Sequence, residues 1–210
     1  MNFEAALTNV ALLWLLTTPH EFAHAWVATK LGDDTPRLQG RVTLNPLAHV
    51  DWIGTVLLPA VTSLIGAGFL GWGKPVNTNP SKLWGGLNGL VLVALAGPAS
   101  NVVFAVVLAA VAAATAHANP AVANFAAQGV MLSLYLALFN MIPVPPLDGS
   151  KLLLAARLPV RIYSMVARYG FLLLIVLMVR TDIGITLSAW SVDAARAMLG
   201  WFRLGSGGGV

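Results

Sequence analysis

The residues whose types and spacing could do chemistry are His20, Glu21 and His24, which form an H-E-x-x-H sequence. On a helix, residues four apart share a face, so both imidazoles can reach one metal ion. Glu21 lies about 100° further round the helix and can touch a water held by that metal. Zinc lowers the pKa of such a water to about 7, and a neighbouring carboxylate can take its proton. The spacing therefore predicts a zinc-dependent hydrolase. The alternative, two solvated helix histidines, is weak because His and Glu are costly inside an apolar span.

A zinc ion with two His ligands normally takes a carboxylate or a third His as its next protein ligand. Four residues in apolar surroundings could supply it, namely Asp51, Asp148, His49 and His117. Asp148 is favoured because it follows a proline-rich break, and irregular backbone at membrane depth is tolerated only when buried in protein or lining a cavity. Its alternative role is a turn with Gly149. Asp51 has a stronger alternative role as an N-cap, His117 falls in an external loop, and no role is assigned to His49.

Two asparagines lie on otherwise apolar helices and are candidate substrate-binding or oxyanion-stabilising residues. Asn140 precedes Asp148 by eight positions and could hydrogen-bond substrate backbone or a developing oxyanion. Its alternative role is to cap the broken helix. Asn101 follows a run of small residues that permits close helix approach, so its alternative is a hydrogen bond between helices.

The composition shows what must surround these residues. Of 210 residues, 58% are hydrophobic and 10% charged, and the mean hydropathy is +0.79, which excludes a soluble globule. No charged residue occurs in the 65 positions between Lys82 and Asp148. As a single helix this stretch would run about 100 Å, so it must turn back, and His117 to Pro120 supply the turn. The net charge of +4 comes without any dense basic run, so no nucleic-acid partner is expected.

Hydropathy and helix breakers predict an all-α polytopic membrane protein with about four full transmembrane helices, a re-entrant segment and a short membrane-associated β-hairpin. The predicted spans are residues 3–31, which end at Gly32, and residues 87–114, 126–141 and 162–179. Residues 37–44 alternate polar and apolar positions, which predicts the strand or hairpin. Residues 1–182 are expected to form the functional domain, and residues 183–210 an amphipathic and flexible tail.

The basic residues orient the chain. If the first helix runs inward and residues 51–70 re-enter the membrane, nine basic residues lie on or near the cytoplasmic side and three on the other, with both termini outside. A full crossing by residues 51–70 would move two of the nine outside, and that alternative stays open. The nine are Lys30, Arg37, Arg41, Lys74, Lys82, Lys151, Arg157, Arg161 and Arg168.

Three ordered motifs together resemble the site-2 proteases, the intramembrane zinc metalloproteases of the M50 class. They are His20-Glu21-x-x-His24, Ala96-Gly97-Pro98-x-x-Asn101, and Asn140-x-x-Pro143 leading to Leu147-Asp148-Gly149. The stretches 40–46 and 71–76 are similar to those of the short bacterial and archaeal branch. No PDZ domain interrupts the chain, in contrast to longer members.

The resemblance implies that His20, His24 and Asp148 ligate one Zn²⁺ per chain and that Glu21 is the catalytic base. It implies that Asn140 helps to bind the substrate strand or to polarise its carbonyl, and that the hairpin at 37–44 presents substrate as an extended strand. The expected partners are transmembrane protein substrates and the lipid bilayer. The expected location is the prokaryotic inner membrane, with the active site opening toward the cytoplasm.

Two other functions use the same residues. In a metal or proton transporter the buried His and carboxylate groups would form an ion pathway. This is disfavoured because no polar residue lies between Asn101 and His117 apart from Thr115. An inactive relative would only bind membrane segments, which the intact Glu21 disfavours.

Overall fold

The computed structural model describes residues 3–64 and 71–206, and every regular element in these two stretches is helical. Two 3-10 turns (Pro46–His49 and Pro80–Lys82) and one π-helical turn (Trp52–Leu57) accompany the α-helices. The chain divides into two compact units, Met1–Ser100 and Asn101–Val210, with the boundary inside a continuous helix. The α-helices are α1 (Phe3–Lys30), α2 (Thr35–Leu38), α3 (Leu58–Leu64), α4 (Leu87–Thr115), α5 (Pro120–Asn140), α6 (Ser150–Ala155), α7 (Val160–Arg180) and α8 (Ile183–Ser206).

Helix α1 is the centre of the first unit. It is rich in Leu and Ala, which favour helix, and its fully buried side chains include Leu13 and Leu16. Helices α2 and α3, the first 3-10 turn and the π-helical turn all pack against it. The helix ends at Lys30, and Gly32 follows with φ +100°, a left-handed conformation that glycine adopts without steric cost. The predicted first helix and its glycine stop are confirmed.

The predicted β-hairpin at residues 37–44 is wrong. Residues 35–38 form the short helix α2, Gly40 turns the chain with φ +67°, and no strand occurs in residues 3–64 or 71–206. Pro36 in the first turn of α2 suits a helix start, because its missing N–H is not needed there. Alternation over a few residues could not outweigh this local helix start, because a strand also needs a neighbouring strand to pair with.

Asp51 acts as an N-cap, so this alternative to metal ligation is confirmed. Its Oδ1 accepts hydrogen bonds from the N–H groups of Ile53 (3.0 Å) and Gly54 (2.8 Å) at the start of the π-helical turn. The π-helical turn continues into α3, which ends at Leu64. Residues 65–70 lie outside the described residues, so re-entry of the segment 51–70 stays a prediction.

Three helices among the described residues are long and apolar enough to cross a membrane, namely α4, α5 and α7. They correspond to the predicted spans 87–114, 126–141 and 162–179. Helix α1 has 28 residues but contains the polar sequence from His20 to His24, and it is not one of the three. The predicted total of four spans is therefore not confirmed. Only 11% of the apolar window of α7 is buried, against 44% for α5, so α7 requires apolar surroundings other than protein.

In the second unit, α8 packs along α5 and also contacts α7. A buried apolar cluster of Ile142, Leu147, Leu174 and Leu187 joins the segment after α5 to α7 and α8. The predicted turn at residues 117–120 is confirmed, because Asn119 caps α5 by accepting the N–H of Val122 at 3.2 Å. The predicted amphipathic tail is helical through α8.

Asp33 joins two distant segments of the first unit. Its fully buried carboxylate accepts the N–H of Thr35 at 3.0 Å and the N–H of Asn79 at 2.6 Å. Burial raises the pKa of the Asp33 carboxyl, but these hydrogen bonds and the positive charge of Lys82 outweigh burial and hold the pKa below its ordinary value of 3.8.

Asp33→Asn should therefore lower the free energy of unfolding by about 1–3 kcal/mol at neutral pH, because charge-assisted hydrogen bonds are lost. The carboxylate stabilises the fold fully above pH 3.8, and this contribution disappears as the pH falls through the lowered pKa of the folded protein. Thermal unfolding in detergent as a function of pH measures the difference. Asp34→Asn is the control, because Asp34 is exposed and only pairs with Arg37 at 3.0 Å. An equal loss from both variants would contradict the prediction.

Candidate metal centre

The two histidines of the H-E-x-x-H sequence lie side by side on α1, and both are buried. Their rings meet edge to face with centroids 4.6 Å apart, and the two Nε2 atoms are separated by 3.0 Å. The four-residue spacing thus directs both Nε2 atoms toward the same point, as the sequence predicts.

A hydrogen bond to α4 fixes the proton on His24. Its Nδ1 lies 2.7 Å from the backbone carbonyl oxygen of Val93. Because a carbonyl can only accept, Nδ1 carries the proton and donates it, and Nε2 keeps its lone pair. This arrangement, in which one ring nitrogen is hydrogen-bonded and the other is left as a ligand, is the usual one for metal-binding histidine.

Gly97 of α4 lies against both imidazoles. A Cβ atom at this position would come within 2.3 Å of His24 Nε2 and 2.6 Å of His20 Cε1, which no side chain could tolerate. The small residues around Gly97 predict that another helix packs closely there. In the first unit that helix is α1. The two imidazole nitrogens suit a small divalent ion such as zinc, which takes nitrogen ligands at about 2.0–2.1 Å. The glycine at position 97 leaves space beside them.

Glu21 follows His20 on α1, and its side chain is buried. On one side it packs against Gly73, where a Cβ would lie 3.4 Å from Glu21 Oε1. On another side Arg41 Nη2 lies 3.9 Å from Glu21 Oε2, which is ion-pair distance. Glu21 therefore faces a guanidinium and a bare stretch of backbone.

The sequence did not identify Arg41 as a site residue. It counted only as one of the nine basic residues expected on the cytoplasmic side. It is 4% exposed, and its guanidinium donates a hydrogen bond to the backbone carbonyl of Lys74. Burial lowers the pKa of Arg41, and the Glu21 carboxylate opposes that shift. The one sequence feature that drew attention to Arg41 was the family-like stretch 40–46, and this stretch did not indicate a contact with Glu21.

His49 is fully buried in the loop that follows Arg41, and it has a structural role. Its Nε2 donates to the carbonyl oxygen of Thr43 at 2.8 Å, and its own carbonyl accepts the N–H of Lys74 at 2.9 Å. Burial is the main cause that lowers the pKa of His49, so the imidazole is neutral at pH 7.

Asp148 belongs to the second unit, in the turn between α5 and α6, and it is buried. Its Oδ1 lies 2.8 Å from Lys151 Nζ, one helical turn further along the chain. The turn itself closes through a hydrogen bond from the N–H of Gly149 to the carbonyl of Asn140, at 2.7 Å. A carboxylate oxygen is thus held at a defined place immediately after the proline-rich break.

The remaining candidates make contacts within the second unit or lie at the surface. The Asn140 Nδ2 donates to the carbonyl of Leu136 on the same helix at 2.9 Å, and its role in capping or in substrate binding stays a prediction. Asn101 is fully buried, and its backbone carbonyl accepts the Ser133 hydroxyl at 2.8 Å, which ties α4 to α5 within the second unit. His117 is exposed in the turn between these helices.

Comparison with known proteins gives the family. The sequence model described as peptidase family M50 matches residues 109–177. The chain is 39% identical over 172 residues to YwhC of Bacillus subtilis, covering 77% of this chain and 75% of that protein. It is 33% identical over 187 residues to Rip2 of Mycolicibacterium smegmatis, covering 85% and 70% of the two chains. The chain belongs to peptidase family M50. Both relatives carry provisional names as zinc metalloproteases, and no solved structure matches the chain.

Membership of family M50 confirms the resemblance stated from the three motifs, and it makes the chain a membrane metallopeptidase by family and by its apolar helices. The candidate residues of the three motifs are distributed over both units, with His20, Glu21, His24 and Gly97 in the first. Asn101, Asn140 and Asp148 belong to the second.

Gly97→Ala tests whether this M50 chain holds metal at the two histidines. The added Cβ would displace the His24 ring, so zinc affinity should fall at least about tenfold, equal to about 1.4 kcal/mol. Gly200→Ala is the control, because Gly200 is also helical and nothing lies within 4 Å of an added Cβ. Metal content of the purified proteins, titrated with a chelator, measures the effect. Equal zinc retention by both variants would show that the metal is held elsewhere.

Proposed function

We propose that this chain is a zinc-dependent intramembrane endopeptidase that hydrolyses peptide bonds within or near transmembrane segments of membrane-protein substrates. The observation that carries the proposal is the buried His20–His24 pair. The hydrogen bond to Val93 leaves His24 Nε2 free of a proton, and Glu21 follows directly on the same helix. Three helices among the described residues are able to cross a membrane, which supports a substrate inside the bilayer.

We assign His20, His24 and Asp148 as the zinc ligands. All three are buried, and each offers one ligand atom, an imidazole nitrogen or a carboxylate oxygen. Two nitrogens and one oxygen are a common protein ligand set for catalytic zinc, which leaves one position open. When bound, the metal supplies a Lewis acid that polarises water and the scissile carbonyl.

Glu21 acts as general base and then as general acid. Its carboxylate takes a proton from the attacking water while the water oxygen forms a bond to the peptide carbonyl carbon. The C–N bond then breaks, and Glu21 returns the proton to the leaving amine. Its burial excludes bulk water, so the carboxylate has few competing hydrogen-bond partners.

The segment 71–79 is the candidate platform for substrate. It has no regular secondary structure, and Gly73 lies against Glu21. The backbone groups of Trp72 and Lys74 are already hydrogen-bonded within the first unit, so an extended substrate segment would pair with the remaining backbone groups of this segment, a form of β-augmentation. This role replaces the one expected for the hairpin at 37–44.

Asn140 and Asn101 stay candidates for binding substrate or stabilising the oxyanion. The Asn140 side chain keeps its amide oxygen and a second N–H beyond the bond to Leu136.

Glu21→Gln should abolish cleavage while leaving zinc content unchanged, because a neutral amide cannot accept the proton. Asp148→Ala should lower zinc content as well as cleavage, because a ligand is lost. Cleavage of reporters with a single transmembrane helix, reconstituted in liposomes, and the metal content of the same preparations measure both. Full cleavage by the Glu21 variant would sink the proposal, and metal flux without cleavage would favour a transporter.

We further propose that the chain lies in a prokaryotic inner membrane, as the bacterial origin of both relatives suggests, with its active site opening toward the cytoplasm. The chain has no Cys, so single-cysteine labelling can test the orientation directly. Ala118→Cys, in the exposed turn after α4, should react with a membrane-impermeant thiol reagent added to intact cells. Arg161→Cys, exposed at the start of α7, should react only after lysis. The reverse pattern would invert the proposed topology.

A further inference from the structure

Arg41 connects two parts of the first unit that the sequence separates. Its Nη2 donates to the backbone carbonyl of Lys74 and lies 3.9 Å from Glu21 Oε2. The side chains of both Arg41 and Glu21 are almost completely buried. One guanidinium group therefore faces the carboxylate proposed as the base and the segment 71–79 that lies beside it.

Residues 72–74 are held by hydrogen bonds to their backbone groups on both sides of Gly73. The N–H of Trp72 donates to the carbonyl of Gly54 at 3.0 Å, and the Thr55 hydroxyl donates to the carbonyl of Trp72 at 2.9 Å. The N–H of Lys74 donates to the carbonyl of His49 at 2.9 Å. Arg41 supplies the fourth bond, to the carbonyl of Lys74, and it is the one charged donor among the four.

Gly73, at the centre of this short segment, is in van der Waals reach of the Glu21 side chain. A Cβ at Gly73 would lie 3.2 Å from Thr17 Cβ, and 3.4 Å from both Cγ and Oε1 of Glu21. The carboxylate is thus bounded by the backbone of residue 73 on one side and by the guanidinium on another. A shift in either neighbour would change where the carboxylate oxygens lie.

We propose that Arg41 is the positioning residue for Glu21, and that it acts by holding the Glu21 carboxylate and the Lys74 carbonyl on a single guanidinium. This inference rests on the proposed function, since it takes Glu21 as the base. Arginine suits the role because its guanidinium stays charged when buried, so that Nη2 can donate to the Lys74 carbonyl while the positive charge faces the Glu21 carboxylate. A lysine ammonium would keep the charge but not the position of the planar group.

The experiment compares Arg41→Gln and Arg41→Lys with the wild type in the liposome cleavage assay. Arg41→Gln should lower kcat by about tenfold to a hundredfold, because a misplaced catalytic group loses that much rate, with KM little changed. Arg41→Lys should restore part of kcat. Zinc content should stay at the wild-type level in both, since the side chain of Arg41 contacts Glu21 and the Lys74 carbonyl. Arg37→Gln is the matched control, because Arg37 is exposed and pairs only with Asp34, the N-cap residue of the same short helix, so it should keep the wild-type kcat.

Wild-type kcat in Arg41→Gln would overturn the inference, as would a loss confined to KM or a parallel loss of zinc. If Arg41→Gln does not fold, Arg41→Lys decides. Its kcat should fall below the wild-type value while its zinc content stays unchanged, and wild-type kcat in Arg41→Lys would overturn the inference. Cleavage by Glu21→Gln in the same assay would overturn the proposed function as well, whereas an inactive Glu21→Gln beside fully active Arg41 variants would refute only the role of Arg41.

Discussion

The hydrogen bond from His24 Nδ1 to the carbonyl of Val93 is the interaction on which the candidate metal centre depends. It sets the tautomer, and it fixes the ring so that Nε2 points toward His20. It also requires α4 to pass close to α1, because a backbone carbonyl inside a helix is accessible only from short range. That approach is possible because position 97, one turn after Val93, carries no side chain. The candidate metal-binding face of α1 therefore depends on helix packing as much as on its own sequence.

The same requirement explains which features the sequence could predict. Local signals were reliable: the four-residue His spacing, the stop at Gly32, the N-cap at Asp51 and the turn capped by Asn119 each depend on neighbouring residues along the chain. Long-range features were not predictable in this way. The contact of Arg41 with Glu21 joins residues twenty positions apart, and the alternation at 37–44 predicted a hairpin where a proline-initiated turn of helix forms instead. For Asn140, the sequence could not decide between capping the helix and binding substrate, because both roles use the same side-chain amide.

A chain with so few charged residues places several of them out of water. Asp33, Glu21, Arg41 and Asp148 are all buried, and each lies beside an opposite charge or a hydrogen-bond donor. Burying a charge without a partner is prohibitively costly in apolar surroundings. Even a paired buried charge contributes little net stability compared with well-packed apolar residues. Stability alone is thus a poor reason to keep Glu21 and Arg41 where they are, and a chemical role explains their retention better.

The contrast between Asp33 and the Glu21–Arg41 pair makes this argument more specific. Asp33 accepts backbone N–H groups at 2.6 and 3.0 Å, which gives each of its oxygens a donor and makes it a structural residue that joins two segments. Glu21 has its guanidinium neighbour at 3.9 Å, too far for a hydrogen bond, and borders a glycine instead of a donor side chain. A carboxylate that is held in place but not saturated by donors keeps lone pairs available for a proton from water. The two buried acids of the first unit therefore differ as expected if Asp33 is a structural carboxylate and Glu21 is the base that we propose.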